Sequence, residues 1–66
     1  MEYTNSQIRE IIAEHIHSER DRAVMEDRLI NGMVIERLSE KYELSVSQVK
    51  RIIWKHSQEI FRHVRK

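Results

Sequence analysis

The 66-residue chain has no cysteine, no proline and a single glycine, Gly32. Without cysteine there is no disulfide to staple the fold. Four scattered histidines with no thiolate beside them do not supply the short, fixed ligand spacing that tetrahedral zinc requires. No run of about 18 apolar residues occurs, so no bilayer-spanning helix and no membrane partner is expected. The opening Met1-Glu2-Tyr3 lacks the basic and apolar regions of a signal peptide, which points to the cytoplasm. So short a chain, with no loop-rich stretch, leaves little material for both a core and a closed pocket. A binding module without a cofactor is therefore expected rather than an enzyme. At this length folding buries only about 60% of the extended chain's surface and leaves a margin of about 3–5 kcal/mol. Helix packing, with or without a partner chain, has to supply it.

Charge is nearly balanced over the whole chain but not along it. Residues 1–32 carry a net −3 and residues 33–66 a net +4, while the stretch from Ser45 onward reaches +5. A total of +1 thus hides a basic C-terminal element.

Caps and apolar periods predict one continuous all-α domain of four helices. Thr4 with Gln7 forms a capping box, and Tyr3 with Ile8 a hydrophobic staple, so helix 1 is expected over about 5–17. Its stripe is Ile8, Ile11, Ile12 and Ile16. Ser18 is the next N-cap, followed by Glu19 and Asp21 at the positive end of the dipole, and helix 2 is expected over about 19–31. Its looser stripe is Ala23, Val24, Met25, Leu29 and Ile30, with Arg28 expected to bury its stem and pair with Glu36 or Glu40. Gly32 suits a left-handed helix stop. Helix 3, about 34–42, turns Ile35, Leu38 and Tyr42 inward but lacks a capping side chain at Val34. A short turn with Leu44 buried leads to the best-marked start in the chain, where Ser45 and Gln48 make a second capping box with a Leu44–Val49 staple.

Helix 4 is expected over about 46–64. At 100° per residue, Val46, Val49, Ile52, Ile53, Ile60 and Val64 fall within about 60° of one line. Ser47, Lys50, Arg51, Lys55 and Arg62 occupy the opposite face. Trp54 and Phe61, seven residues apart, fall outside the apolar stripe. Three readings of this pair compete: packing under helix 1, which is preferred, a homodimer seam, or stacking on bases. His15 and His17 lie on different faces of helix 1, and His56 and His63 at the edge of the helix 4 stripe, so the histidines do not mark a metal site.

Two short helices joined by a tight turn, the second opening on Ser and Gln and carrying cations outward, describe a helix-turn-helix. A helix fits the major groove of B-DNA, with side chains of its first turns at base edges and those further along at phosphates. Ser47, Gln48 and Arg51 are placed for edges, Lys50 for edge or backbone, and Lys55 and Arg62 for phosphates.

These residues resemble a known family. Gly32-Met33-Val34-Ile35-Glu36-Arg37-Leu38-Ser39-Glu40-Lys41-Tyr42, followed by Leu44-Ser45-Val46-Ser47-Gln48-Val49-Lys50-Arg51-Ile52, is similar to the region 4 helix-turn-helix of bacterial RNA polymerase sigma factors. The stretch also resembles small stand-alone region-4-like proteins of phages and integrative elements in Gram-positive bacteria, and covers about two thirds of the chain. The resemblance implies a tri-helical DNA-binding unit braced by helix 1, with promoter-reading positions on Val46, Ser47, Lys50 and Arg51 and a backbone contact at Lys55. It departs at Val34, where a Ser or Thr cap is usual, at Asp27, where an apolar residue is common, and at Val46, where some members present Arg. A sigma region 2 is missing, so promoter melting is not expected. The implied function is sequence-specific binding of double-stranded DNA in transcription regulation. Two rivals remain: a module docking on RNA polymerase or a sigma factor through its acidic half, and an accessory adaptor for DNA packaging or recombination.

Overall fold

The computed structural model describes residues 3–64, without the side chains of His63 and Val64. The charges of Arg65 and Lys66, the position of His63 and the core placement of Val64 lie outside the described residues. Four helices follow one another: α1 (Asn5–His15), α2 (Glu19–Leu29), α3 (Ile35–Tyr42) and α4 (Val46–Val64). The domain is all-α, with principal extents of 33 × 19 × 19 Å. α2 and α4 each pack against the other three helices, whereas α1 and α3 do not touch.

Local chemistry fixes the helix starts. Thr4 Oγ accepts the Gln7 backbone N–H at 3.2 Å and Gln7 Oε1 accepts the Thr4 N–H at 2.9 Å, so both orphan donors at the start of α1 are satisfied. Ser18 caps α2 by accepting the Asp21 N–H. Three boundaries differ from the sequence expectation. α1 ends at His15 rather than His17, because Ile16 is extended (φ −119°, ψ 119°) and its carbonyl accepts Arg22 Nε at 2.6 Å. α2 ends at Leu29 rather than Asn31, because the chain turns through Gly32 at φ +69° and the Met33 N–H reaches back to the Asp27 carbonyl. α3 begins at Ile35, since Val34 is its extended N-cap and makes no side-chain cap bond.

The core has two lobes joined by Ile53. In one, Ile12, Ile16, Met25 and Ile60 close α1 onto α2 and α4, with Ile8 and Ile11 beside them. In the other, Val24, Leu38, Val49 and Ile52 close α3 onto α2 and α4, with Leu44 and Tyr42 packed against them. The first lobe braces α1; the second sets the angle between α3 and α4. Burial of these aliphatic groups, worth about 1.5–3 kcal/mol for each full side chain, is the main force holding the domain together.

Several inward assignments need correction. Leu29 and Val46 are more than a third exposed, and Leu44 is half-buried rather than buried. Arg28 does not pair with Glu36 or Glu40; its Nη1 donates to the Met33 carbonyl at 2.9 Å and ties the α2–α3 connection down. Trp54 does not pack under α1. It is 66% exposed and lines the groove at the start of α3, whereas α1 packs on α4 through Ile60 and Ile53.

Two polar groups take places in the interior. Asp27 on α2 is buried, with Oδ1 accepting Asn31 Nδ2 at 2.8 Å and Oδ2 accepting Lys41 Nζ at 2.8 Å and the Tyr42 hydroxyl. Burial on its own pushes this carboxyl up, but the hydrogen bonds from Lys41, Tyr42 and Asn31 and the Lys41 charge outweigh it and hold the group below its ordinary value. Burial, then the same carboxylate, pushes the Tyr42 phenol up. Asp27 thereby fastens the end of α3 to α2. His56 on α4 is also buried, its Nε2 2.9 Å from Asp21 Oδ2 and its Nδ1 3.3 Å from Glu59 Oε1. That contact fixes the middle of α4 against the start of α2.

Candidate nucleic-acid interface

The α3–α4 turn is held at both ends. Glu43 adopts a left-handed conformation (φ 55°, ψ 46°), its N–H bonds the Glu40 carbonyl, and the Leu44 N–H bonds the Ser39 carbonyl at 3.0 Å. This is a Schellman closure with glutamate in the place glycine usually takes. The Ser39 hydroxyl also donates to the Leu44 carbonyl. One residue later Ser45 Oγ accepts the Gln48 N–H at 3.1 Å and Gln48 Oε1 accepts the Ser45 N–H at 2.9 Å, so α4 starts from a closed capping box. Leu44 between the two motifs packs on the Val49 lobe. The entry angle of α4 is thus set by backbone bonds and one apolar anchor.

All seven expected contact residues, Val46, Ser47, Gln48, Lys50, Arg51, Lys55 and Arg62, are exposed on α4. Their availability differs. Gln48 uses its side-chain oxygen in the cap, leaving its amide N–H groups for a ligand. Lys50, Arg51, Lys55 and Arg62 form no ion pair with another described residue. Elsewhere Arg9 meets Glu26, Arg20 meets Asp21 and Lys41 meets Asp27, while Arg22 and Arg28 donate to backbone carbonyls. Cations on one helix face without neutralising acids leave a net positive surface.

Directly opposite the core, Ser47, Arg51, Trp54 and Gln58 form the outermost line of α4, within an arc of about 60°. Lys50 flanks this line on one side, Lys55 and Arg62 on the other. At about 1.5 Å per residue α4 is roughly 28 Å long, and its slim exposed half suits a groove about 12 Å wide. An open groove of about 570 Å³, lined by Ile35, Lys50, Arg51, Ile53, Trp54 and Ser57, runs beside this line where α3 begins.

A second apolar recess of about 150 Å³ lies at the other end of the domain, lined by Tyr3, Ile8, Ile11, Leu29, Ile60 and Phe61. Phe61, 55% exposed, stands at its rim beside the α1 isoleucines. Among the described residues no three His, Asp or Glu side chains converge as a metal site would require. No helix is long and apolar enough to cross a membrane among them either.

The sequence reading missed the two residues that hold the frame, Asp27 and His56. Asp27 carried no clear signal, because it lies one turn from Val24 on a stripe too diffuse to fix the inward side of α2. His56 was placed at the edge of the helix 4 stripe, whereas it lies about 20° from Val49, inside the stripe, and is buried. Compared with known proteins, the chain matches no family model, no curated protein and no solved structure.

Proposed function

We propose that the domain binds double-stranded DNA by laying α4 in the major groove, as a small helix-turn-helix regulator of transcription. The observation that carries this reading is the set of four exposed cations, Lys50, Arg51, Lys55 and Arg62, none in an ion pair with another described residue, on a helix whose start is fixed by two interlocking caps. Ser47 and Arg51 lie where base edges are reached, and Arg51 can offer a bidentate pair to guanine. Lys50, Lys55 and Arg62 neutralise phosphates, which makes affinity salt-dependent. The resemblance to sigma region 4 supports the same reading, with a place in the cytoplasm and an origin in a phage or integrative element. Fluorescence anisotropy with duplex DNA at low salt tests it: the parent binds, and the double variant Lys50→Glu, Arg51→Glu loses binding while keeping its helical signal. No binding by the parent defeats the reading.

The recess at Tyr3, Leu29 and Phe61 favours a second role, docking on a protein such as RNA polymerase or a sigma factor. The two roles use opposite ends of the domain and are compatible. An adaptor in DNA packaging or recombination would use the same α4 face and is separated from a regulator by the site it prefers. A homodimer seam through Trp54 and Phe61 would cover the outer line of α4, so it competes with DNA rather than assisting it.

A further inference from the structure

We infer that Trp54 is a base-reading residue: its indole and the adjoining Ile35–Ile53 groove take up a thymine 5-methyl group in the major groove of duplex DNA. The inference rests on the DNA-binding reading above and adds a specificity determinant to it. Trp54 sits on the outermost line of α4 between Ser47 and Gln58, one turn beyond Arg51. Any groove that admits Ser47 and Arg51 to its floor therefore receives the indole as well.

The chemistry of the groove selects its occupant. The groove is lined by the apolar side chains of Ile35, Ile53 and Trp54 together with Lys50, Arg51 and Ser57. The occupant must present an apolar group on a strongly anionic body. Within the major groove of B-DNA the thymine methyl is the one apolar group on a base edge, and phosphates border it on both sides. Lys50 and Arg51, neither in an ion pair with another described residue, match those phosphates and the flanking base edges. At 66% exposure the indole makes few contacts within the domain, so nothing in the core requires an aromatic ring at this position.

The test compares an A·T-rich duplex of about 20 base pairs with the same duplex carrying deoxyuridine for thymidine, which deletes only the methyl groups. The parent should bind the uracil duplex roughly fourfold more weakly for each methyl it covers. Trp54→Ala and Trp54→Gln should bind the two duplexes alike, with circular dichroism confirming that both variants stay helical. Because Trp54 is the only tryptophan in the chain, its emission should also shift when the thymine duplex is added. Equal affinity of the parent for both duplexes, or discrimination that survives in both variants, overturns the inference while leaving DNA binding intact. Absence of binding to either duplex removes the DNA-binding reading and the inference together. Burial of Trp54 in a dimer, seen as a doubled mass by sedimentation that Trp54→Ala abolishes, or preference for an acidic peptide over DNA, also overturns it.

Discussion

Replacing Asp27 with alanine should remove a large share of the domain's stability, and by an amount that depends on pH. Its carboxylate accepts from Asn31, Lys41 and Tyr42 across the α2–α3 contact. Hydrogen bonds to a charged acceptor contribute about 1.5–3 kcal/mol when protected from water, and less when exposed. The Tyr42 bond is the protected one and Asn31 is exposed, whereas the Lys41 ammonium is half in solvent and is discounted. A loss of about 2–4 kcal/mol is expected at neutral pH, against a total stability of about 3–5 kcal/mol for a chain of this length. The carboxyl is held below its ordinary value in the folded state, so its contribution is present above the unfolded value of about 4 and disappears as pH falls through the lowered folded value. For Tyr42 the sign is opposite: its raised value makes its contribution complete below about pH 10 and lost as pH rises through that raised value. Urea unfolding followed by far-ultraviolet circular dichroism should therefore show parent and Asp27→Ala far apart at pH 7, with the gap narrowing as pH falls below about 4 toward the lowered folded value and narrowing again in strong alkali. A difference under about 0.5 kcal/mol at pH 7, or one that stays constant down to pH 2, would refute the assignment of Asp27 as the α2–α3 fastening.

Further predictions concern the turn, the core and the charged face. Glu43→Gly should stabilise the domain by about 0.5–1 kcal/mol, because the left-handed backbone at this position disfavours any residue with a Cβ. Gly32→Ala, at φ +69° with open space around the new methyl, should cost about 1 kcal/mol from backbone strain alone; urea midpoints check both. Leu38→Ala empties the centre of the α3 lobe and should cost about 2–5 kcal/mol, enough to unfold much of the population at 25 °C by circular dichroism. Lys55→Ala should weaken all duplex sequences alike and flatten the slope of log K against log salt by about one unit, whereas Arg51→Ala should relax preference at one base pair, a cost of about 1–3 kcal/mol for the favoured site.

What could be read in the sequence follows from how local each interaction is. Thr4 with Gln7 and Ser45 with Gln48 act over three residues, and both boxes form at the expected places. The α4 stripe was equally plain, because Val49, Ile52 and Ile60 recur at helical spacing over about three turns. Asp27 was not legible as a fastening point, since its partners Lys41 and Tyr42 lie 14 and 15 residues away on another helix. The α2 stripe was itself too diffuse to show which side faces inward: Leu29 turned out exposed while Asp27 is buried. Trp54 failed for a different reason. The isoleucine stripe of helix 1 needed a partner and suggested a place there, but α1 meets α4 through Ile60 and Ile53, and the indole stands instead beside the start of α3. At the candidate interface the exposed positions of Ser47, Lys50, Arg51, Lys55 and Arg62 were legible from periodicity, whereas Val46 was read into the apolar stripe and is exposed. The engagement of Gln48 in the cap follows from the capping box, yet its consequence for recognition needs the bond geometry.

The central claim is that the outer face of α4 is the surface that meets DNA. Backbone amide shifts of isotopically labelled protein, recorded by nuclear magnetic resonance as duplex DNA is added at low salt, test it residue by residue. The account predicts that shifts concentrate between Ser45 and Arg62 and at Ile35, that α1 from Asn5 to His15 stays unperturbed, and that the changes reverse on adding salt. Shifts centred instead on the recess of Tyr3, Leu29 and Phe61, or none at any residue, would contradict it.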